Sequence, residues 1–249
     1  GRRARHRVRG DAAGRRLAGM TSLPVTAVRG EDASDVVVGA TSHRYRWRDQ
    51  QVFVPLGGAF NLMNSLEAAE TAVLLGVAEP AVAAGLATVG AVPGRFESVD
   101  AGQQFDVIVD FAHTPDGLRE ALRAARAATS QRVLVVFGCG GDRDQAKRAP
   151  MGAVAAELAD EVIVTSDNPR TEDPLTIINA IIEGVPHDYR GHVVLDADRR
   201  SAISRALGRA RPGDLVLIAG KGHERTQTIG GVQHPFDDRQ VARELLEAM

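Results

Sequence analysis

The chain has 249 residues, a length that suits one large domain or two smaller ones. Hydrophobic residues make up 44% of the sequence and charged residues 25%, so the composition is that of a folded globular protein and excludes fibrous and disordered classes. The formal net charge of -2 argues against a protein that mainly coats nucleic acid or an acidic membrane. Cys139 is the single cysteine and cannot form an internal disulfide, which favours a reducing compartment, the cytoplasm.

Lysine is rare in this sequence. Lys and Arg together occupy 30 positions, but only Lys147 and Lys221 are lysines. The simplest interpretation is GC-rich coding, which replaces Lys by Arg wherever either residue serves. A lysine that persists against this bias indicates a position where a compact point charge is needed, because the two side chains are not interchangeable there.

The first 16 residues are rich in arginine but are followed by no apolar segment, so they are not a secretory signal. A nucleic-acid-binding arm is one interpretation, although no aromatic residues are interleaved. The chain begins with Gly1 rather than Met, and we therefore expect the edge of a longer protein instead. The arginines are Arg2, Arg3, Arg5, Arg7, Arg9, Arg15 and Arg16.

The sequence before residue 99 predicts short strands and a helix. The nearly uncharged stretch 72–93 is rich in Ala and Gly and is interrupted by Glu79-Pro80, which favours two short helices over a transmembrane span. We expect these elements to be too few to close a core of their own. The predicted strands are 24–29, 35–39 and a hairpin of 44–47 with 51–55, and the predicted helix is 61–75.

From residue 99 onward, short apolar runs alternate with amphipathic helices. This pattern predicts an α/β fold with a mostly parallel, Rossmann-like sheet covered by helices on both faces. Thr114-Pro115 and Asp173-Pro174 place a capping side chain before a proline at the first helical position. The predicted strands are 105–111, 132–137, 161–165, 192–195, 215–219 and a short one near 226–229. The predicted helices are 115–128, 150–159, 174–183, 200–210 and 238–248.

Polar clusters follow four of these strands, at the carboxyl ends where open α/β sheets bind ligands. Four such clusters on one edge are hard to explain by folding alone. They are 110–115, 138–144 with Lys147 and Arg148 close behind, 167–170, and 220–224.

Each cluster also has a purely structural interpretation. The glycines at 138–141 match neither the dinucleotide fingerprint nor a phosphate loop, and alone they indicate only a turn. Asp110 suits a turn, His113 a capping or packing role, and Cys139 a small buried position. Neither cysteine nor histidine spacing indicates a metal site built from protein ligands.

The charges at this edge favour a zwitterionic ligand. Arg143, Arg170 and Lys147 would attract an anion, and Arg binds a carboxylate in a bidentate manner. Glu224, on a neighbouring loop, suits an ammonium group. An amino acid carries both groups.

Taken together, the motifs resemble those of the Mur ligases, in particular the type that adds meso-diaminopimelate. The resemblance runs from about residue 11 to the end and is dense from residue 55. It is carried by PLGGAFNLMN (55–64), PGRFE (93–97), VDFAHTPDG (109–117), VFGCGGDRDQAKRAPM (136–151), TSDNPRTEDP (165–174), AGKGHE (219–224) and FDDR (236–239).

This resemblance implies two domains: residues 1–98 as the carboxyl-terminal remnant of the central ATPase domain, itself α/β, and residues 99–249 as the amino-acid-binding domain. It implies ATP-dependent addition of meso-diaminopimelate to UDP-N-acetylmuramoyl-L-alanyl-D-glutamate through an acyl phosphate, in peptidoglycan biosynthesis. ATP and Mg²⁺ are the implied cofactors. A cytoplasmic monomer that binds neither nucleic acid nor membrane is the expected form.

The resemblance also implies site residues. The amino-acid site would comprise Arg143, Asn168, Arg170, Gly220 and Glu224. The nucleotide site would comprise Asn61, Arg95, Asp110, His113 and Lys147.

The sequence departs from the family pattern in several places. It contains no phosphate loop, and Phe111 stands where many relatives carry Tyr. Because phosphoryl transfer relies on a phosphate cradle and metal-held oxygens, we expect this chain alone to be inactive. The alternatives are a non-catalytic module that binds an amino acid or nucleotide, or another branch of the superfamily, such as cyanophycin or folylpolyglutamate synthesis. The sequence 167–170 argues against both of those branches.

Overall fold

The computed structural model describes residues 6–9, 12–22 and 25–249, with the backbone alone at residues 6–9 and 26. Arg2, Arg3 and Arg5 of the arginine-rich segment lie outside the described residues, as does the first residue of the predicted strand 24–29. The chain divides into two compact units, Gly1–Ala91 and Val92–Met249.

The first unit contains a three-stranded antiparallel sheet of order β3-β4-β5 and a parallel pair β1-β2. Each predicted strand of this unit that falls on described residues is present. Helix α1 was not predicted. The elements are β1 (His6–Arg9), α1 (Ala12–Gly19), β2 (Val25–Val28), β3 (Ala33–Val38), β4 (His43–Trp47), β5 (Gln50–Val54), α2 (Ala59–Leu74) and α3 (Glu79–Ala87).

This unit has its own hydrophobic core, so the expectation that it could not close one is wrong. Strand β4 alternates buried and exposed residues, which turns Tyr45 and Trp47 inward and leaves the arginines between them outside. Tyr45 and Trp47 form one cluster with Leu66 of α2 and Val82 of α3. Two helices therefore cover the face of a small sheet.

The uncharged stretch 72–93 contains the end of α2 and the whole of α3, so its two helical segments are separate but only the second lies entirely within it. Among the described residues, no helix combines the length and the apolarity that crossing a bilayer requires.

The second unit has the predicted architecture. Its six-stranded sheet has the order β10-β9-β8-β11-β7-β6, and every neighbouring pair is parallel except β6 with β7. The elements are β6 (Glu97–Ser98), β7 (Asp106–Asp110), α4 (Pro115–Ala128), β8 (Val133–Phe137), α5 (Arg148–Leu158), β9 (Glu161–Val164), α6 (Pro174–Ile182), β10 (Val193–Leu195), α7 (Arg199–Arg209), β11 (Leu215–Ala219), β12 (Thr226–Ile229), β13 (Val232–Pro235) and α8 (Asp238–Glu247).

Two helical layers enclose this sheet. Helices α4, α5 and α6 contact one another in series, whereas α7 contacts α8 and packs with it on the apolar cluster of the other face. Strands β8 and β11 are buried along their whole length, which explains their continuous apolar sequences. The predicted α/β fold class is confirmed.

The strand order opens a crevice at the carboxyl ends of the strands. The chain leaves β8 toward α5, but it reaches the adjacent strand β11 from α7 and leaves it toward α8. Neighbouring strands whose connections run to opposite faces form such a crevice, and ligands bind there in open α/β sheets.

The predicted boundary at residues 98/99 falls inside the second compact unit, since β6 pairs with β7 and the unit begins at Val92. The identification of the two units as a central-domain remnant and an amino-acid-binding domain stays a prediction.

Candidate functional site

A cavity of about 360 Å³ lies at the carboxyl ends of β7, β8, β9 and β11. That volume is at the lower end of ordinary ligand pockets and suits a small molecule. The cavity gathers all five residues predicted for the amino-acid site, together with His113 and Lys147 of the predicted nucleotide site. Its lining is Phe111, His113, Thr114, Gly138, Gly140, Arg143, Asp144, Lys147, Asp167, Asn168, Arg170, Gly220 and Glu224.

The loops that follow β8 and β9 are joined along one wall of the cavity. The amide of Gly141 donates to the carbonyl of Asn168 at 2.9 Å. The carboxylate of Asp142 accepts the amide of Thr171 at 3.1 Å and its hydroxyl at 2.8 Å. A Cβ at Gly141 would lie 2.0 Å from the carbonyl oxygen of Pro169, so only glycine allows this approach. The two loops are therefore held together as one wall.

Arg170 is held in an unusual backbone conformation. Its φ of 56° lies in the left-handed region, which costs a non-glycine residue about 1 kcal/mol or more and is concentrated at functional sites. Its amide donates to Thr228 and its Nη1 donates to the carbonyl of Gly141 at 2.7 Å. These bonds fix the side chain in the cavity wall, where its guanidinium can bind a carboxylate.

Asn168, Lys221 and Glu224 form a hydrogen-bonded cluster at the base of the cavity. Lys221 Nζ donates to Glu224 Oε2 at 2.9 Å and to Asn168 Oδ1 at 3.2 Å. Asn168 Nδ2 donates to the same Glu224 oxygen at 2.8 Å. Burial opposes ionisation of Glu224, but the hydrogen bonds from Lys221 and Asn168 outweigh it and lower the pKa of the carboxyl group. Glu224 is therefore ionised at neutral pH.

A second carboxyl group, Asp167, lines the cavity next to this cluster. It is buried, and desolvation raises its pKa despite the nearby charges of Arg199 and Lys221. Gly220 lies directly beside Asp167 and has a φ of 116°, a conformation that favours glycine. A Cβ added to Gly220 would lie 2.8 Å from Asp167 Oδ2. The chain after β11 thus needs glycine at this position for both its conformation and its packing.

Arg143 stands at the exposed rim of the cavity. Its only recorded hydrogen bond within the described part of the chain is a long one, from Nη1 to the carbonyl of Asp142 at 3.3 Å. The cavity lining thus includes two guanidinium groups, from Arg143 and Arg170, and the ionised carboxylate of Glu224, beside the carboxyl groups of Asp144 and Asp167. This charge pattern is complementary to a zwitterion.

The residues predicted for the nucleotide site fall in both units. In the second unit, the guanidinium carbon of Arg95 lies 4.7 Å from the centre of the Phe111 ring, and the His113 ring lies 4.5 Å from it. Lys147 Nζ donates to the carbonyl of His113 at 2.7 Å. Asn61 belongs to the first unit, where its side-chain Nδ2 donates to the carbonyl of Gly57.

Asp110, which was predicted for the nucleotide site, has a structural role. Its Oδ2 accepts the amide of Phe96 and its Oδ1 the amide of Ala112, each at 2.8 Å. Burial raises the pKa of Asp110 even though these hydrogen bonds oppose the rise. The carboxylate therefore anchors the segment before β6 to the end of β7, and only its remaining lone pairs are available to a ligand.

Sequence reasoning assigned no role in the site to Lys221 or Asp167. The rarity of lysine singled out Lys221, and Asp167 belongs to the motif 165–174, but nothing in the sequence predicted that both are buried. Across residues 6–9, 12–22 and 25–249, no three or more His, Cys, Asp or Glu side chains are grouped so as to hold a metal ion.

Comparison with known proteins identifies the family to which the chain belongs. Residues 94–222, more than half of the chain, match the family described as Mur ligase, glutamate ligase domain. A UDP-N-acetylmuramoyl-L-alanyl-D-glutamate--2,6-diaminopimelate ligase from Streptomyces avermitilis is 44% identical across 95% of this chain and 50% of its own length. One of the same name from Solibacter usitatus is 52% identical across 78% of this chain and 39% of its own length. The chain spans about half the length of the curated relatives it matches.

Solved structures show the same similarity. A ligase of that name superposes with a TM-score of 0.67 at 33% identity, covering 95% of this chain and 50% of the other. The MurF ligase from Thermotoga maritima in complex with ADP superposes with a TM-score of 0.65 at 17% identity, covering 98% of this chain and 53% of the other. At that identity the second likeness concerns the fold alone.

Proposed function

Because the chain belongs to the Mur ligase family, we propose that it forms the amino-acid-binding part of a ligase that joins meso-diaminopimelate to UDP-N-acetylmuramoyl-L-alanyl-D-glutamate in peptidoglycan synthesis. The relatives at 43% to 52% identity carry the name of that reaction. ATP, with Mg²⁺, would supply the phosphoryl group that activates the carboxylate of the dipeptide. We assign no described residue to Mg²⁺, since no suitable cluster occurs among them.

The observation that carries this proposal is the charge pattern of the cavity. Arg143 and Arg170 bring two guanidinium groups, and Asn168 an amide donor, to the wall that would hold a carboxylate. Glu224 is ionised beside them and suits an ammonium group. The end of meso-diaminopimelate that does not react carries one group of each kind, whereas the side chain of lysine ends in an ammonium alone. The cavity is therefore matched to the zwitterionic end.

In this reaction the chain binds and orients the incoming amino acid. Arg143, Asn168, Arg170, Gly220 and Glu224 would hold its distal end, which leaves the other end free. An α-amine held in a fixed position attacks an activated carboxyl group far more readily than one that diffuses. The contribution of these residues is therefore positional.

The residues of the nucleotide site are part of the same proposal. Asp110 and His113 would lie at the ribose and base, with Arg95 at the hinge and Lys147 toward phosphate. Lys147 is suited to that role because its ammonium, half-buried at the cavity rim, donates to a backbone carbonyl and retains two further N–H donors. Asn61 would approach the adenine. We further propose a cytoplasmic monomer that binds neither nucleic acid nor membrane.

The test is a calorimetric titration of the 249-residue chain with meso-diaminopimelate. Arg170→Ala removes charge-assisted hydrogen bonds worth about 1.5–3 kcal/mol each, so its Kd should rise about tenfold to a hundredfold or more. Arg225→Ala is the matched control, because that side chain is 82% exposed and lies outside the cavity lining. No heat of binding to the unmodified chain, or an unchanged Kd in Arg170→Ala, would overturn the proposal.

A further inference from the structure

Lys221 is a fully buried lysine with no contact to solvent, at the base of the amino-acid cavity. We infer that Lys221 is a positioning residue that determines which atoms of Asn168 and Glu224 face the ligand. The inference rests on the proposed function, because it names the residue that gives the site its selectivity for a zwitterion.

All three N–H donors of the Lys221 ammonium are used within the protein. They point to Glu224 Oε2 at 2.9 Å, Asn168 Oδ1 at 3.2 Å and the carbonyl of Thr226 at 2.7 Å. An ammonium group has three donors and no acceptor, so no donor remains for a ligand. The buried charge acts on the site only through its partners.

The orientation of the Asn168 amide follows from this arrangement. An ammonium can only donate, so the oxygen of the amide must face Lys221, and the same oxygen also accepts the amide of Thr228 at 3.0 Å. The Nδ2 group must then face the other way, where it donates to Glu224 Oε2 at 2.8 Å. One N–H of Nδ2 is left, and it can only serve an acceptor such as a carboxylate.

The same arrangement gives the two carboxylate oxygens of Glu224 different hydrogen-bonding roles. Oε2 accepts from both Lys221 and Asn168, while Oε1 accepts no hydrogen bond in the part of the chain that the structure describes. Oε1 is therefore the oxygen that is available to the ammonium of a ligand. Lys221 thus sets a donor on Asn168 and an acceptor on Glu224 side by side.

Lys221 also offsets negative charge at the base of the cavity. Asp167 and Glu224 interact unfavourably with each other, and Lys221 stabilises the charged form of both. Without this cation, Glu224 would lose a hydrogen bond and a favourable charge that lower its pKa. A protonated Glu224 would no longer attract an ammonium group.

The experiment compares Lys221→Met with Arg225→Met in the 249-residue chain. Both changes remove a cation and keep an unbranched side chain of similar length, but the Arg225 side chain is 82% exposed and its ion-pair partner, Asp237, lies outside the cavity lining. We expect the Kd for meso-diaminopimelate to rise about tenfold or more in Lys221→Met, because Asn168 and Glu224 would lose the bonds that orient their free donor and acceptor toward the ligand. The Kd should stay unchanged in Arg225→Met. Circular dichroism establishes that each variant is folded. If Lys221→Met does not fold, Lys221→Gln, which keeps two donors, carries the same comparison.

A double-mutant cycle separates positioning from a merely structural role. If Lys221 acts through Asn168, the effect of Lys221→Met on the Kd should become much smaller in an Asn168→Ala background. Equal effects in the two backgrounds would overturn the inference. An unchanged Kd in folded Lys221→Met would also overturn it while leaving the proposed function standing, whereas no binding to the unmodified chain would overturn both.

Discussion

Arg199 and Asp238 form an ion pair from which solvent is completely excluded. Arg199 Nε and Nη2 donate to the two oxygens of Asp238 at 2.8 Å and 2.7 Å, and both side chains are 0% exposed. The same guanidinium donates to the carbonyls of Ser166 and Ala219. Those residues directly precede Asp167 and Gly220, so the pair holds the chain after β9 and the end of β11 beneath the cavity.

Removing one partner of this pair should strongly destabilise the second unit. Asp238→Ala leaves a guanidinium buried without its counter-ion, and we expect a loss of about 3–5 kcal/mol in the free energy of unfolding. Urea denaturation followed by circular dichroism measures it. The control is Glu244→Ala, which removes an exposed ion pair between the same two helices and should change little. Equal effects of the two substitutions would contradict the expectation.

Two glycine substitutions should have opposite outcomes, because Gly141 lies where two loops meet and Gly208 lies on the open surface of a helix. Gly141→Ala places a Cβ 2.0 Å from the carbonyl oxygen of Pro169 and should force the loops apart. The amide of Thr171, bonded to Asp142, should then exchange its hydrogen faster in deuterated solvent. Gly208→Ala lies in α7 with no atom within 4 Å of the new Cβ, and we expect it to stabilise the chain by about 0.5–1 kcal/mol. Unchanged exchange at Thr171 in Gly141→Ala would refute this.

Cys139 should be chemically inert while the chain is folded. Burial raises the pKa of its thiol to about 12, so almost none of the reactive thiolate forms at pH 8. We expect a thiol reagent to label the native chain very slowly and to label the chain in urea completely. Because this is the only cysteine in the sequence, the count of labelled groups is unambiguous. Rapid labelling of the native chain would show that the end of β8 opens readily.

The buried histidine of the first unit predicts a loss of stability in acid. Burial lowers the pKa of His43 although the carbonyl of Leu56 opposes the shift. Protonation therefore favours the unfolded state, and stability should fall as the pH drops below about 6.5, the usual pKa of histidine. Fluorescence of Trp47, the single tryptophan, follows urea unfolding of this unit at several pH values.

Two variants check the origin of that pH dependence. His43→Gln should reduce the change in the urea midpoint between about pH 7 and about pH 5, because it removes the titrating group. His234→Gln, an exposed position in the other unit, should leave the change as it is. The same pH dependence in His43→Gln would assign it to another group.

The buried strands of the sheet were predictable because their sequence signal is physical. The expected range 215–219 coincides with β11, and the expected range 132–137 begins one residue before β8, since strands buried on both faces must be apolar throughout. Strand β6, of two residues, was not predicted because two residues show no periodicity. Strand β13, which pairs with β12 in an antiparallel hairpin, was also not predicted, because it is exposed along its length and lacks an apolar pattern.

The candidate site was only partly predictable. The rule that ligands bind at the carboxyl ends of strands selected the sequence clusters that contain Asn168 and Glu224, and the family resemblance implied the role of Asn168. Their direct hydrogen bond was not predictable, because the two residues are 56 positions apart and meet only through the insertion of β11 next to β8. The low frequency of lysine drew attention to Lys221, but its burial and its three partners follow from the fold.

That insertion of β11 also constrains how the chain is made. Strands β7 and β8 leave the ribosome well before β11, yet β11 separates them in the finished sheet. Until residues 215–219 emerge, β7 and β8 each carry an apolar edge whose hydrogen-bonding groups have no strand beside them, and such edges promote aggregation. Nascent chains that stall before residue 215 are therefore the species most in need of chaperone protection during synthesis.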